Sequence, residues 1–319
     1  MPAPAERVAP EMNMSAQQRL PDFAVIGAQK AGSTYLLNCL RSHPDIFMPQ
    51  EEISFCETSP LVGDSLVQFA RHFQNAGPGQ VIGVKRPNLL GTESAAERLA
   101  SAIPDCKLIV ILRNPVDRAV SGYFHYMATG LVPIQAAESG LARLLRGEFS
   151  PEYPREREVL EFGLYGRHLA RYFLHFAEDQ MRVVFLEDVQ RDSGKELQNL
   201  FDFVGVFSDF VSPVQNEQPM QAPYSLTRLR IRRWLYEGSR QRPAGSVYYH
   251  AKTTWLARMQ RGVARAVDRW VLGPLLGNRK PALSASLVES LRGYYAADIQ
   301  QLSALVKRPL DHWLQRSEG

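Results

Sequence analysis

The sequence predicts an α/β protein with a central parallel sheet flanked by helices, continued by a helical, basic C-terminal extension. Three observations predict it. Short apolar runs alternate with helical stretches as far as about residue 207, the pattern of repeated strand–helix–strand units. The first run passes through a turn of small residues directly into a helix. Beyond residue 207 strand candidates stop and arginine-rich helical sequence follows.

The elements follow in order. Phe23–Gly27 (F-A-V-I-G) is the first strand candidate. A helix is expected from Thr34 to Ser42, with Tyr35, Leu36, Cys39 and Leu40 on one face and His43-Pro44 as its stop. Val81–Val84 is the second strand. Lys107–Leu112 (K-L-I-V-I-L) is the third and reads as a strand buried on both faces. Met181–Leu186 is the fourth. Helices are expected near 66–75, 93–102, 116–127, 160–177 and 285–306. The expected organisation is a disordered leader over 1–20 and one domain over 21–319. That domain divides into an α/β core (21–210) and a helical cap or extension (211–319).

Composition narrows the function classes. Of 319 residues 45% are hydrophobic and 22% charged, a globular balance that excludes disordered and fibrous chains. The three cysteines, Cys39, Cys56 and Cys106, are odd in number and match no zinc-ligand spacing. That excludes a disulfide framework, fits a reducing compartment and makes a cytoplasmic location the expectation. No apolar stretch is long enough to span a bilayer, and the first 15 residues contain no apolar signal core. The net charge of +4 hides an uneven distribution. Residues 221–280 hold 13 Lys/Arg against Glu237 and Asp268, a local +11, so the rest of the chain sums to −7.

The turn after the first strand reads Gly27-Ala28-Gln29-Lys30-Ala31-Gly32-Ser33-Thr34. Small residues let backbone N–H groups approach an anion, and the following helix adds its N-terminal dipole. The spacing G-x-x-x-x-G is that of a P-loop, so the sheet is of the P-loop type. Ser33-Thr34 stand where a nucleotide-hydrolysing loop carries Lys then Ser/Thr, and the lysine lies inside the loop as Lys30. The third strand runs into Arg113, where a magnesium-dependent P-loop enzyme often carries Asp. The loop is thus built for an anion, with no metal ligand in view. The plainer alternative is a strand–helix turn that binds nothing.

A second anion site follows that strand. Arg113-Asn114-Pro115-Val116-Asp117-Arg118-Ala119-Val120-Ser121 puts an Arg fork at the strand end, Pro115 at the first helical position, and Ser121 about two turns further on. Both sites then lie at the C-terminal edge of one parallel sheet, where ligands of such sheets bind. Alternatively, Asn114-Pro115 only starts a helix and Arg113 pairs with Asp117.

Together these residues resemble the sulfotransferases that use 3′-phosphoadenosine 5′-phosphosulfate (PAPS), in the branch shared by heparan sulfate sulfotransferases and bacterial relatives. G-A-Q-K-A-G-S-T-Y-L is similar to their 5′-phosphosulfate loop, and L-R-N-P-V-D-R-A-V-S-G-Y to their 3′-phosphate motif. R-S-H-P-D-I-F-M-P-Q-E-E-I-S-F resembles the stretch leading to the branch's catalytic Glu, and G-V-K-R-P its lysine motif after the second strand. R-Y-F-L-H-F-A-E-D-Q-M-R-V-V-F-L-E-D-V and Y-Y-A-A-D-I-Q-Q-L add weaker matches, so the likeness runs in pieces over about 22–313.

The resemblance implies a mechanism. Lys30 stabilises charge on the leaving oxygen. Gln29, Lys30, Ala31, Gly32, Ser33, Thr34 and Tyr35 form the 5′ side of the donor site, the backbone N–H groups of Ala31 to Thr34 and the two hydroxyls holding the phosphate. Arg113 and Ser121 hold the 3′-phosphate. Glu52 is the general base, with adjacent Glu51 one position off, and Lys85 lines the site near the sulfuryl group. On residues alone, Glu51 and Glu52 also read as exposed loop carboxylates, and Lys85 as a solvated lysine at a strand end. The donor is PAPS, the product PAP (3′-phosphoadenosine 5′-phosphate), and no metal is required. The acceptor is a hydroxyl or amine of a saccharide, lipid or secondary metabolite, with 128–160 contributing to its site.

The cytosolic small-molecule branch uses a His after the second strand; here the place reads Lys85-Arg86-Pro87-Asn88. His125 is expected to be structural. Ser54 stands where heparan-type enzymes often have His, and no Cys follows Cys106, so the disulfide loop of those enzymes is not reproduced and heparan sulfate is not implied as acceptor.

The basic segment carries a further motif. In W-L-A-R-M-Q-R-G-V-A-R-A-V-D-R-W-V, Trp255, Met259, Val263, Val267 and Trp270 recur at helical spacing, and Arg258, Arg261, Arg265 and Arg269 do so on another face. Three arrangements fit such a helix: the Trp face packed on the core, peripheral contact with an anionic membrane through 252–272, or a dimer contact. Arg228, Arg230, Arg232 and Arg233 are expected to close over the donor or steer it. No nucleic-acid reader motif is present, so no such partner is expected. Two competing classes remain: a P-loop nucleotide kinase, which predicts magnesium-dependent ATP binding, and a non-catalytic module that binds membrane or polyanion.

Overall fold

A computed structural model describes residues 19–216, 223–241 and 250–315. The leader expected over 1–20 falls outside these except for its last two residues. There the Arg19 guanidinium donates to the Gly77 carbonyl (3.0 Å) and Leu20 packs on the core.

The chain opens with β1 (Phe23–Gly27), α1 (Ser33–Arg41), β2 (Ile46–Phe47) and α2 (Asp64–Ala70). Then come β3 (Val81–Lys85), α3 (Ala95–Ala102), β4 (Lys107–Leu112), α4 (Pro115–Thr129) and α5 (Ala137–Leu145). α6 (Glu158–Glu161), α7 (Tyr165–Tyr172), β5 (Met181–Phe185), α8 (Leu186–Arg191) and α9 (Ser193–Val204) complete the core. Among the described residues, five parallel strands form one sheet in the order β2-β3-β1-β4-β5. The α/β expectation holds.

The sheet has buried strands because both faces are covered. β1 is buried throughout and β4 from Leu108 onward, so their residues are continuously apolar rather than alternating. β1 and β4 sit at the centre, and their C-terminal ends lead into Ala28 and Arg113. α4 starts where the local sequence requires: the Asn114 side chain accepts the Val116 N–H (3.0 Å), and Pro115 occupies the first turn.

After Tyr224 the chain forms α10 (Leu226–Tyr236), a two-strand antiparallel pair of β6 (Arg240–Gln241) and β7 (His250–Ala251), α11 (Trp255–Val267), α12 (Gly273–Leu276) and α13 (Ala285–Leu305). The β6–β7 pair corrects the expectation that strands end near residue 207; two-residue strands carry no periodicity to read. A π-helical turn at Asp268–Leu272 joins α11 to α12. α13 returns to the core, burying Leu291, Tyr295 and Leu302, and the Asp298 carboxylate accepts the N–H groups of Gly166 and Arg167 at the start of α7 (2.9 and 2.8 Å).

Candidate active site

The turn after β1 is shaped by two left-handed residues. Lys30 has φ +67° and Gly32 φ +101°. A Cβ at Gly32 would stand 3.0 Å from Leu186 Cδ1, so both backbone angle and space select glycine there. The Ala28 N–H donates to the Ile111 carbonyl (2.7 Å), fastening the loop to β4. The Ala31 N–H donates to Ala28 (3.2 Å) and Ala31 is buried off the cleft surface. This corrects one expectation: Ala31 completes the turn rather than presenting its N–H to a ligand. α1 begins at Ser33 with neither a side-chain cap nor an acid in its first turn, so its first N–H groups and positive dipole end face the cleft uncompensated.

The cleft, about 1270 Å³, is lined by the other predicted donor and catalytic residues: Gln29, Lys30, Gly32, Ser33, Thr34, Tyr35, Glu52, Lys85, Arg113 and Ser121. Arg113 leaves β4, and its Nη2 is 3.9 Å from Asp117 Oδ2, a long pairing that leaves the fork on the cleft wall. Lys280 Nζ pairs with the other Asp117 oxygen. Ser121 is buried on the same wall two turns into α4.

Lys85, at the end of β3, links the two sides. It is buried, its Nζ lies 2.5 Å from Glu52 Oε1 and donates to Thr34 Oγ1 at 3.2 Å. That replaces the alternative of a solvated strand-end lysine. Glu52 is 43% exposed at the cleft, whereas Glu51 lies in the exposed loop and does not line it. Arg86 approaches Glu52 Oε2 at 3.8 Å and pairs with Glu57 Oε2 at 2.5 Å. Glu57 also accepts from Ser54 Oγ (2.8 Å), and its backbone carbonyl accepts from Arg98 (2.6 Å). Ser54, in the place of the branch's His, thus serves the carboxylate that holds Arg86. Gln29 Nε2 donates to Asn88 Oδ1 (3.0 Å), tying the loop to the turn after β3. The Tyr35 hydroxyl donates to the Gln215 carbonyl (2.6 Å).

The electrostatics ask for an anion. Burial, then the charges of Arg113 and Lys85, lower the Lys30 pKa from the ordinary lysine value. His125, in α4, also lines the cleft; burial, then Lys30 and Arg155, bring its pKa down to about 4, so it is neutral at pH 7. The uncapped start of α1 on one side and Arg113 with Ser121 on the other line this same cleft. Among the described residues, no group of three or more His, Cys, Asp or Glu is placed to hold a metal ion.

Several further lining residues were not singled out as site residues by the sequence. Thr129, Leu131 and Arg155 come from the stretch assigned to the acceptor side, and Asn216, Tyr224, Arg261 and Lys280 from beyond the sheet. Arg228, Arg230, Arg232 and Arg233 do not line the cleft; Arg228 and Arg232 pair with Asp268 at 2.7 and 3.2 Å. From this basic region it is Arg261 and Lys280 that line the cleft.

Comparison with known proteins agrees. The sulfotransferase domain model matches residues 20–224. A bifunctional heparan sulfate N-deacetylase/N-sulfotransferase 1 of Caenorhabditis briggsae is 29% identical over 199 residues, covering 60% of this chain and 23% of its own length. The mouse heparan sulfate glucosamine 3-O-sulfotransferase 3B1 is 31% identical over 189 residues, 59% of this chain and 47% of its own. The chain therefore spans less than half the length of these relatives. A sulfotransferase crystal structure from Alicyclobacillus acidocaldarius shares the fold, with TM-score 0.62 and 21% identity over 93% of this chain and all of that one. The two phosphate motifs in chain order, the domain match across most of the chain and the shared fold converge, and the chain belongs to the sulfotransferase family.

Proposed function

We propose that this chain transfers the sulfuryl group of PAPS to a hydroxyl or amine acceptor, releasing PAP. The observation that carries the reading is the run Glu52–Lys85–Thr34, which joins a solvent-reachable carboxylate to the anion-binding turn within one cleft at 2.5 and 3.2 Å. PAPS supplies an activated sulfuryl group on a good leaving phosphate. Ser33, Thr34 and the α1 N-terminus hold the 5′ side, and Arg113 with Ser121 the 3′-phosphate. Lys30 stabilises charge gathering on the bridging oxygen. Glu52 accepts the acceptor's proton as the new O–S or N–S bond forms and the bond from sulfur to the phosphate oxygen breaks. Lys85 holds the Glu52 carboxylate at the cleft and adds positive charge beside the transferring group.

The relatives' names, for transfer to heparan sulfate glucosamine, support a saccharide among the acceptor classes; lipid and secondary-metabolite acceptors fit the same chemistry. Cys39, Cys56 and Cys106 are buried and none is in a disulfide, which supports work in a reducing, cytoplasmic setting. The test is transfer of labelled sulfate from PAPS into a host extract, with the product identified by mass. Wild type should label a defined product and Glu52→Gln should not. Labelling by neither, or equally by both, counts against the reading.

A further inference from the structure

The helix that follows the β6–β7 pair is turned inside out relative to the rest of the fold. α11 buries Ala257 and Ala264 against its neighbours, and Leu272 in the π turn continues that inner side. Gln260 Nε2 donates to the Leu235 carbonyl (2.8 Å) and Arg261 Nη1 to the Lys252 carbonyl (2.8 Å), which fixes the same side inward. The other side presents Trp255, Met259, Val263 and Trp270 to water, 69, 55, 55 and 73% exposed, with Leu256 and Val271 beside them. Trp255, Met259 and Val263 recur every four residues along α11, and Trp270 continues the row seven residues further on, in the π turn. The row of Arg258, Arg261 and Arg265 adjoins it; Arg258 and Arg265 are exposed and Arg261 reaches the cleft. The one acid on this stretch, Asp268, is engaged by Arg228 and Arg232.

An apolar stripe of this size is a surface that binds something. We propose that the outer face of α11 docks on an anionic lipid bilayer. Charge decides the occupant. The stripe lies within the +11 segment of residues 221–280. A second copy docked by the same face would bring its own arginines against these, and like charges across an interface are repelled. Anionic headgroups neutralise the arginines while the apolar side chains enter the acyl boundary. Trp255 and Trp270 mark the two ends of the stripe, and tryptophan prefers the headgroup level. Among the described residues no helix is long and apolar enough to cross a membrane, so the helix lies on the surface. Because Arg261 of the same helix lines the cleft, docking sets a cleft wall beside the bilayer.

The proposal needs no donor and no turnover, so its test is separate from that of the transfer chemistry. The full chain is sedimented with vesicles of phosphatidylcholine alone or mixed with phosphatidylglycerol. Variants carry Trp255→Ser with Trp270→Ser, or Arg258→Gln with Arg265→Gln; all four positions are exposed, and thermal melts check that the fold is kept. Wild type should sediment only with the anionic vesicles, and less so as salt rises. The arginine pair should bind roughly thirtyfold more weakly, the loss expected for two basic residues at an anionic surface, and the tryptophan pair should lose binding as well. Wild type staying in solution with anionic vesicles overturns the proposal. So do folded variants that sediment like wild type, or a dimer in solution that the same variants dissolve.

Discussion

β4 and α11 each bring one arginine to the cleft, and they do it by opposite means. Arg113 leaves a strand that is paired on both sides by β1 and β5 and buried from Leu108 onward. The Asn114 cap and Pro115 then fix the direction in which the chain leaves. Arg261 leaves a helix that buries two alanines and turns Trp255 outward. The first arginine is held by the core of the fold; the second is held by two backbone carbonyls at 2.8 and 3.2 Å. Groups that bind the donor have to be placed to a fraction of an ångström, and a sheet edge provides that. A surface that meets an outside partner tolerates a looser mount. The chain thus separates a rigid side, where the proposed donor site lies, from an adaptable outer side.

Substitutions on the rigid side should have the larger effects. Glu52→Gln should lower kcat by about 10² to 10⁴ while PAP binding, read by calorimetry, is kept. Lys30→Ala should cost about 10² to 10³ in kcat. Lys30 also predicts a pH effect. Its lowered pKa means that the working ammonium form is lost as pH rises through a value below that of an ordinary lysine, so kcat/KM for the donor should fall on the alkaline side earlier than an unperturbed lysine predicts. The same desolvated cation, flanked by Arg113 and Lys85, opposes folding in the free protein, so Lys30→Met should raise Tm while lowering kcat as Lys30→Ala does.

Arg113→Ala should weaken donor binding by about 10- to 100-fold, the worth of charged hydrogen bonds, with a smaller effect on kcat. Gly32→Ala should cost on the order of 1–2 kcal/mol of stability because of its left-handed φ, before any contact with Leu186 is counted. On the adaptable side, Trp270→Ser should change stability by no more than about 0.5 kcal/mol in a denaturant melt. A large loss there would erase the contrast between the two regions.

The rigid side was also the legible one. Lys107–Leu112 is found at the predicted bounds because a strand buried on both faces writes itself as an unbroken apolar run. The turn at Gly27 and the arginine after β4 were readable because anion binding constrains residue type and spacing together. Legibility failed where the deciding interaction joins distant segments. Nothing local announces that Glu57 will hold Arg86, or that Gln215 will take the Tyr35 hydroxyl. In α11 the periodicity showed an apolar stripe and an arginine row but not which faces inward. Neither row packs inward as a whole: Ala257 and Ala264 let the helix sit close to its neighbours, Arg261 alone of its row turns to the cleft, and a period cannot reveal that.

In the proposed function, two anion positions in one cleft read a nucleotide phosphorylated on both its 3′ and 5′ sides. Affinity for PAP compared with AMP, in wild type and Arg113→Ala, tests it most directly. Wild type should prefer PAP by about 10- to 100-fold, and the variant should bind the two nearly alike. Equal affinity in wild type, or an undiminished preference in the variant, would contradict it.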